Sequence, residues 1–306
     1  GSRSGVRVPS VRPHGRAPMW LCASPKDRRD CGSSKPCKGT AGSDGEEEVS
    51  GCPAEDDCVD GDFADGLHGD FTLKGGGRYK GEWSGDKRHG HGVHICPSGA
   101  KFEGQFDSDQ AHGQGTFEFP GGGVYQGQWH RDRAHGYGSY RHHDQASYQG
   151  QWQDDRQHGE GIEVWPDGAR FEGQHVEGAK SGHGCLTWAD GSSYSGSFQD
   201  NAIQGEGVYR WADGKAYMGQ WVKSQMSGAG CFTWPDGRTY SGQYLSGRKH
   251  GHGELQWPDG RRYKGQWRAG KQHGSGRFTS GSGDQAIGDW EEGQMVQSVS
   301  PQMLVH

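Results

Sequence analysis

The feature that most constrains this chain is a phrase that returns every 23 residues without slippage. Tyr79, Phe102, Tyr125, Tyr148, Phe171, Tyr194, Tyr217, Tyr240 and Tyr263 open nine copies. A tenth stays in phase at Ala286, where the ring is lost but Gly288 and Trp290 remain. With the opening residue as offset 0, a glycine stands at offset 2 in every copy and an aromatic at offset 4 in all but the copy with His175. Paired glycines follow at offsets 11 and 13, from Gly90/Gly92 to Gly274/Gly276. Self-similarity of this length announces a repeat architecture in which each copy is one supersecondary unit.

Within a copy the pattern has period two, so offsets 0, 2 and 4 share one face of a strand. A tight turn is expected at offsets 6 and 7, where Asp86, Asp109, Asp132, Asp155, Asn201, Gly178, Gly247 and Gly270 stand. The returning strand carries the glycine pair, then an apolar or ring residue at offset 15. Tryptophan often follows at offset 17 (Trp165, Trp188, Trp211, Trp234, Trp257). Asp-Gly after Pro or Ala, as in Pro166-Asp-Gly168 and Pro258-Asp-Gly260, marks a linking turn. One copy is therefore a hairpin plus a turn. The chain is expected to be all-β, an elongated single-layer antiparallel meander of about twenty short strands. Pairing offset 2 with 13 and offset 4 with 11 across each hairpin would lay every ring over backbone bare of side chains, which offsets the poor strand propensity of glycine.

Composition alone argues the other way. Leu, Ile, Val and Phe make up about 11% of the chain, below the roughly 20% under which disorder is the usual reading. Trp and Tyr resolve the conflict: all but Trp20 lie between Tyr79 and Trp290, at fixed phase, and each ring buries on the order of 150–250 Å². Cys185 and Cys231 share a phase two copies apart, about 19 Å at ~4.8 Å per strand, too far for a disulfide. The expectation is reduced thiols and a cytoplasmic protein. No run of 18 apolar residues exists to span a membrane.

The domain reading is a disordered tail over residues 1–67, basic then acidic, an array over 68–293, and a short C-terminal tail over 294–306. Residues 1–18 read as leader or a truncated end, with Met19 as an alternative start. From Asp44 to Asp70 there are eleven acidic residues and no Lys or Arg, a composition that cannot bury enough surface to order itself. The array would comprise a half-unit cap beginning near His68, nine full repeats and the degenerate tenth.

Tyr-x-Gly-x-Trp, then His-Gly-x-Gly, then Asp-Gly before the next Tyr resembles the MORN (membrane occupation and recognition nexus) repeat over about residues 68–293. The resemblance implies an elongated antiparallel sheet with a groove, of the kind found in junctophilins, radial-spoke head proteins, plant phosphatidylinositol-phosphate kinases and protist cytoskeletal scaffolds. His175, Ser181, Gln204 and Ser227 depart from the motif, as does His142-His-Asp-Gln145 in place of Pro-Asp-Gly. Local irregularity is therefore expected in the third and fifth copies.

Candidate chemistry is sparse. His89, His112, His135, His158, His250 and His273 share offset 10, but residues in one phase are two strand spacings apart and cannot converge on one ion at ~2.0–2.1 Å. His130-Arg-Asp132 spells the start of a kinase catalytic loop, yet Tyr137 stands where that loop needs Asn. Neither GxGxxG nor GxxxxGK[ST] occurs. The reading is a non-enzyme without catalytic, metal or cofactor residues.

Charge is more informative. Residues 238–277 carry nine cations against two anions, and residues 79–170 carry nine against thirteen. Arg238, Arg248, Lys249, Arg261, Arg262, Lys264, Arg268 and Lys271 are candidates for an anionic partner or lipid, at ~1 kcal/mol per cation near a charged membrane. Trp129, Trp152, Trp221, Tyr244 and Trp267 are candidates for exposed groove anchors. The function expected is a scaffold or adaptor for protein partners at cytoskeletal, ciliary or membrane-associated structures. The alternatives are a tether to phosphoinositide or other anionic lipid, and a detached regulatory region of a phosphatidylinositol-phosphate kinase-like or SET-type enzyme. Nucleic acid is disfavoured by the net charge of −6, and unpaired edge strands leave end-to-end homodimers open.

Overall fold

The computed structural model describes residues 68–299, so the tail expected over residues 1–67 lies outside the described residues. Among the described residues every regular element is a strand. The chain forms two compact units, one ending at Ala179 and one beginning at Lys180. The first carries β1 (His68–Thr72), β2 (Arg78–Ser84), β3 (Lys87–Ile95), β4 (Lys101–Asp107), β5 (Gln110–Glu118), β6 (Val124–His130), β7 (Arg133–Arg141), β8 (Ser147–Gln153), β9 (Arg156–Val164) and β10 (Arg170–Val176). The second carries β11 (Ala179–Thr187), β12 (Ser193–Gln199), β13 (Ala202–Arg210), β14 (Ala216–Val222), β15 (Gln225–Thr233), β16 (Thr239–Leu245), β17 (Arg248–Gln256), β18 (Arg262–Arg268), β19 (Lys271–Thr279), β20 (Gln285–Glu291) and β21 (Gln294–Val299). Within each unit consecutive strands pair antiparallel, which makes the fold an all-β meander. β1 pairs with β2, supplying the half-unit at the start of the array. β21 pairs with β20, so residues 294–299 form a strand where a tail was expected. Their register closes a hairpin on the degenerate tenth copy.

The hairpin turns explain the acidic residue at offset 7. Ser108/Asp109, Arg131/Asp132 and Asp154/Asp155 all have positive φ, from 47° to 71°. Two successive left-handed residues match the twist of a two-residue hairpin, and Asp accepts that conformation better than most side chains. The carboxylates of Asp109, Asp132 and Asp155 also accept the backbone N–H of Arg88, Ala111 and Ala134 at 2.8, 2.7 and 2.8 Å. In the second unit Asn201 does the same for Lys180 at 2.9 Å. Each turn is thereby stitched to the hairpin before it.

Gly81 faces Gly92 across the first full hairpin, the expected pairing of offsets 2 and 13. The expected pairing of offset 4 with 11 does not occur within a hairpin. Trp83 faces Arg88, Trp129 faces Ala134 and Trp221 faces Met226, all at offset 9, while the offset-11 glycine faces the ring of the following copy, as Gly113 faces Trp129. The cause is a bulge in each returning strand, where the offset-11 glycine turns to a left-handed φ, 62° at Gly90 and 60° at Gly251. The bulge frees two backbone groups, and each finds a partner. The offset-3 carbonyl accepts the tyrosine hydroxyl, as in Tyr148 to Gln151 at 2.9 Å and Tyr217 to Gln220 at 3.0 Å. The offset-12 N–H is taken by the offset-3 glutamine side chain, as in Gln114 to Gln105 at 2.8 Å and Ser275 to Gln266 at 3.1 Å.

The core is a zigzag of rings. In the first unit Phe71, Trp83, Tyr79, Phe106, Phe102, Trp129, Tyr125, Trp152, Tyr148, His175 and Phe171 meet edge to face in that order. Their centroids are 5.0–5.4 Å apart and their planes cross at 82–89°. Phe198, Tyr194, Trp221, Tyr217, Tyr244, Tyr240, Trp267, Tyr263 and Trp290 continue the pattern in the second. Such pairs contribute about 0.5–1.5 kcal/mol each beyond area burial. The irregularities expected in the third and fifth copies are absorbed. His175 is 1% exposed and takes the slot of a ring, while Gln145 adopts φ 80° in place of glycine and keeps the turn closed through His142 N–H to Ala146 O at 2.8 Å. Cys185 and Cys231 are free thiols.

Candidate binding surface

Strand alternation gives each unit an inner and an outer face, and the rings decide which is which. In β18, Tyr263 and Trp267 are buried while Arg262, Lys264 and Arg268 are exposed. Trp129, Trp152, Trp221, Tyr244 and Trp267 are 2, 2, 1, 5 and 5% exposed. These five candidates are core residues rather than anchors on an open groove, because each is clamped edge-on between tyrosine or phenylalanine rings of its own and the neighbouring copy. Trp129, Trp152 and Trp267 also spend their indole N–H on glycine carbonyls at 3.1 Å.

The eight cations do not form one patch. Arg238 and Arg261 stand in linking turns, each 2.7 Å from the aspartate two residues before it and lying over the indole of Trp234 or Trp257. Arg248, Arg268 and Lys271 sit at hairpin tips, and Lys271 is held by Glu292. Arg262 and Arg268 bound the same strand, so roughly 20 Å separates the two ends at ~3.3 Å per residue. Lys249 points inward. Its ammonium lies 5.1, 5.1 and 4.6 Å from the ring centres of Trp234, Tyr240 and Trp267. Burial, helped by the charge of Arg238, pulls its pKa down to about 8. Ile203 and Met226 fill the same offset in the preceding copies.

The outer face of β16–β19 is indented by a groove of about 580 Å³, lined by Thr239, Ser241, His252, Glu254, Lys264 and Ser275 among others. Ser241 faces Glu254, Glu254 faces Lys264, and Lys264 faces Arg277 in three successive registers. Glu254 and Lys264 form an ion pair at 3.4 Å. Sequence reading singles out Lys264 alone of the lining residues. Thr239, Ser241, His252, Glu254 and Ser275 occupy offsets where residue type varies from copy to copy, so no periodic signal marks them.

The offset-10 histidines run along the returning strands, and His130 bridges His112 and His135 with ring centres 5.1 and 5.7 Å away. Among the described residues no group of three or more His, Cys, Asp or Glu is arranged to hold a metal ion.

Stitched hairpins, an inner ring row and an outer polar face define an antiparallel β-repeat array. The chain belongs to the MORN repeat family: the family model matches residues 79–101, 102–124, 125–146, 148–170, 171–193, 194–216, 217–237, 240–261 and 263–285. No curated protein matches the chain. Among solved structures, the TCP10 domain of Danio rerio CPAP in complex with a peptide of Danio rerio STIL is 13% identical. It covers 76% of this chain and 99% of its own, with a TM-score of 0.41. The TCP domain of Drosophila melanogaster SAS-4 (dCPAP), in complex with a proline-rich motif of Ana2 (dSTIL), is 9% identical and covers 58% and 85%, with a TM-score of 0.31. A virginiamycin B lyase from Staphylococcus aureus is 12% identical and covers 80% and 73%, with a TM-score of 0.15.

Proposed function

We propose that this chain is a non-enzymatic scaffold or adaptor that holds a segment of a protein partner against its outer face. The observation that carries this reading is the division of labour between faces. The rings are consumed in the core, which leaves a rigid outer surface whose side chains are free to vary, with a groove on it. A cytoplasmic setting at cytoskeletal, ciliary or membrane-associated structures follows from the family and forms part of the proposal. Proximity labelling with the full chain in its native cell tests it. Recurrent enrichment of one protein, confirmed by direct binding of the purified pair, is the expected result. Labelling that never exceeds a charge-matched control protein would overturn the reading.

End-to-end association is the second reading, because the outer edge of β21 pairs with no other described strand. Analytical ultracentrifugation of the full chain decides it: a monomer mass at every concentration removes the homodimer. The lipid-tether alternative rests on fewer cations than the sequence offers, since Arg238, Arg261, Lys264 and Lys271 are ion-paired and Lys249 is half-buried against three rings. Sedimentation with phosphatidylserine or phosphoinositide vesicles at low salt tests it.

A further inference from the structure

We propose that the groove across β16–β19 receives an acidic, extended segment of a protein, read by Lys264 in its lining and by Arg277 and Arg262 beside it. The inference rests on the scaffold reading and names the chemistry of the partner. Lys264 stands directly opposite Arg277 in the β18–β19 register, and Arg262 lies two residues along the same strand on the same face. Like charges directly opposite in a sheet are destabilising. Several exposed cations elsewhere on the array are ion-paired, as Lys101 is by Glu103 and Glu118, Arg170 by Glu172, and Arg261 by Asp259. Here Glu254 is the single carboxylate lining the groove, and it engages Lys264 alone. Arg262 and Arg277 have no ion-pair partner among the described residues. Three cations, Arg262, Lys264 and Arg277, against the one carboxylate of Glu254 give this surface a net positive charge, which is complementary to negative charge brought from outside.

The shape selects among anionic partners. The groove crosses four strands, about 14 Å at ~4.8 Å spacing, which accommodates about four residues of extended chain. Thr239, Ser241 and Ser275 line it with hydroxyls able to bond a peptide backbone or a carboxylate. A concavity with a carboxylate in its wall suits a narrow chain bearing discrete acidic side chains better than a flat, uniformly anionic bilayer.

The experiment is fluorescence anisotropy of a short labelled poly-glutamate peptide with the full chain at low salt. Binding is expected, with poly-glutamine as the blank. Arg277→Gln and Lys264→Gln should each weaken it about tenfold. Arg210→Gln, an exposed cation on β13 away from the groove, should not. The melting temperature of Arg277→Gln should stay level or rise, because its like-charged neighbour is relieved, which separates lost binding from lost folding. Unchanged affinity in both Lys264→Gln and Arg277→Gln, or an equal loss in Arg210→Gln, overturns the proposal. So does retention by phosphatidylserine vesicles, lost in the same variants, without peptide binding; that outcome reassigns the groove to a lipid headgroup. A confirmed partner whose binding ignores Arg277→Gln would sink this inference and leave the scaffold reading standing.

Discussion

The ring of Tyr217 lies over Gly230, so closely that a Cβ built on the glycine would meet ring atoms Cε2 and Cζ at 2.5 Å each. Real side chains do not approach backbone-bound carbon that closely, so this contact exists only because residue 230 has none. The same relation holds between Tyr79 and Gly92, where the two atoms would be met at 2.5 and 2.6 Å.

Gly230→Ala should therefore cost about 2–4 kcal/mol by driving the ring off its seat and breaking the hydroxyl bond to Gln220. Gly219→Val, on the facing strand, should be at least as severe, because a Cβ there meets the carbonyl oxygen of Ala229 and the Cα of Gly230 at 2.5 Å. Thermal melts followed by circular dichroism check both, and an unshifted midpoint would remove the ring-over-glycine account.

Lys249→Met should stabilise the array, since Met226 already fills the equivalent site. The folded-state pKa near 8 lies below the ordinary 10.5, so between those values the unfolded chain holds a proton that the folded chain has released. Stability rises with pH across that window, and below it the full penalty applies, about 3 kcal/mol. Denaturant melts at pH 7 and pH 9 should converge in the variant relative to the parent chain.

The tyrosines set the alkaline limit. Burial raises Tyr209 and Tyr263 to about 12 and pushes Tyr125, Tyr148, Tyr217 and Tyr240 higher still. Folded pKa values above the unfolded 10 mean that stability is intact below pH 10 and is lost as pH rises beyond it. Tyrosinate absorbance from these rings should then appear together with the loss of circular dichroism. Absorbance that develops fully while the sheet persists would contradict their burial.

Gln145→Gly should gain about 0.5–1 kcal/mol. Gln145 holds φ 80° in a turn where the other copies use glycine, and a side chain with a Cβ is strained there. The gain is read as a higher denaturant midpoint with unchanged slope.

Much of the fold was legible because its causes are local. Glycine at fixed phase, Asp, Asn or Gly at offset 7 in most copies and Asp-Gly before five of the nine rings place the strands and both turns without reference to distant residues. The bulge was not, since the offset-11 glycine reads as a second bare-backbone site until the register shows it turning left-handed. Gln105, Gln128 and Gln266 were overlooked for the same reason: their amides cap a backbone group that only the bulge exposes.

The candidate surface was less legible. Of eight cations close in sequence, six separate to the two ends of the strands, Lys264 lies between them in the groove, and Lys249 turns inward beneath Trp234 and Trp267. Arg277, left out of that set, becomes the direct neighbour of Lys264.

By itself the sequence determined a periodic all-β chain of hairpins whose apolar substance is carried by rings. Tertiary structure decided that the ring face is the closed one and the charged face the open one. Alternation along a strand sorts side chains onto two faces but is silent about which will be covered. The cover over each ring is another ring from a copy 23 residues away, and only the assembled register brings the two together.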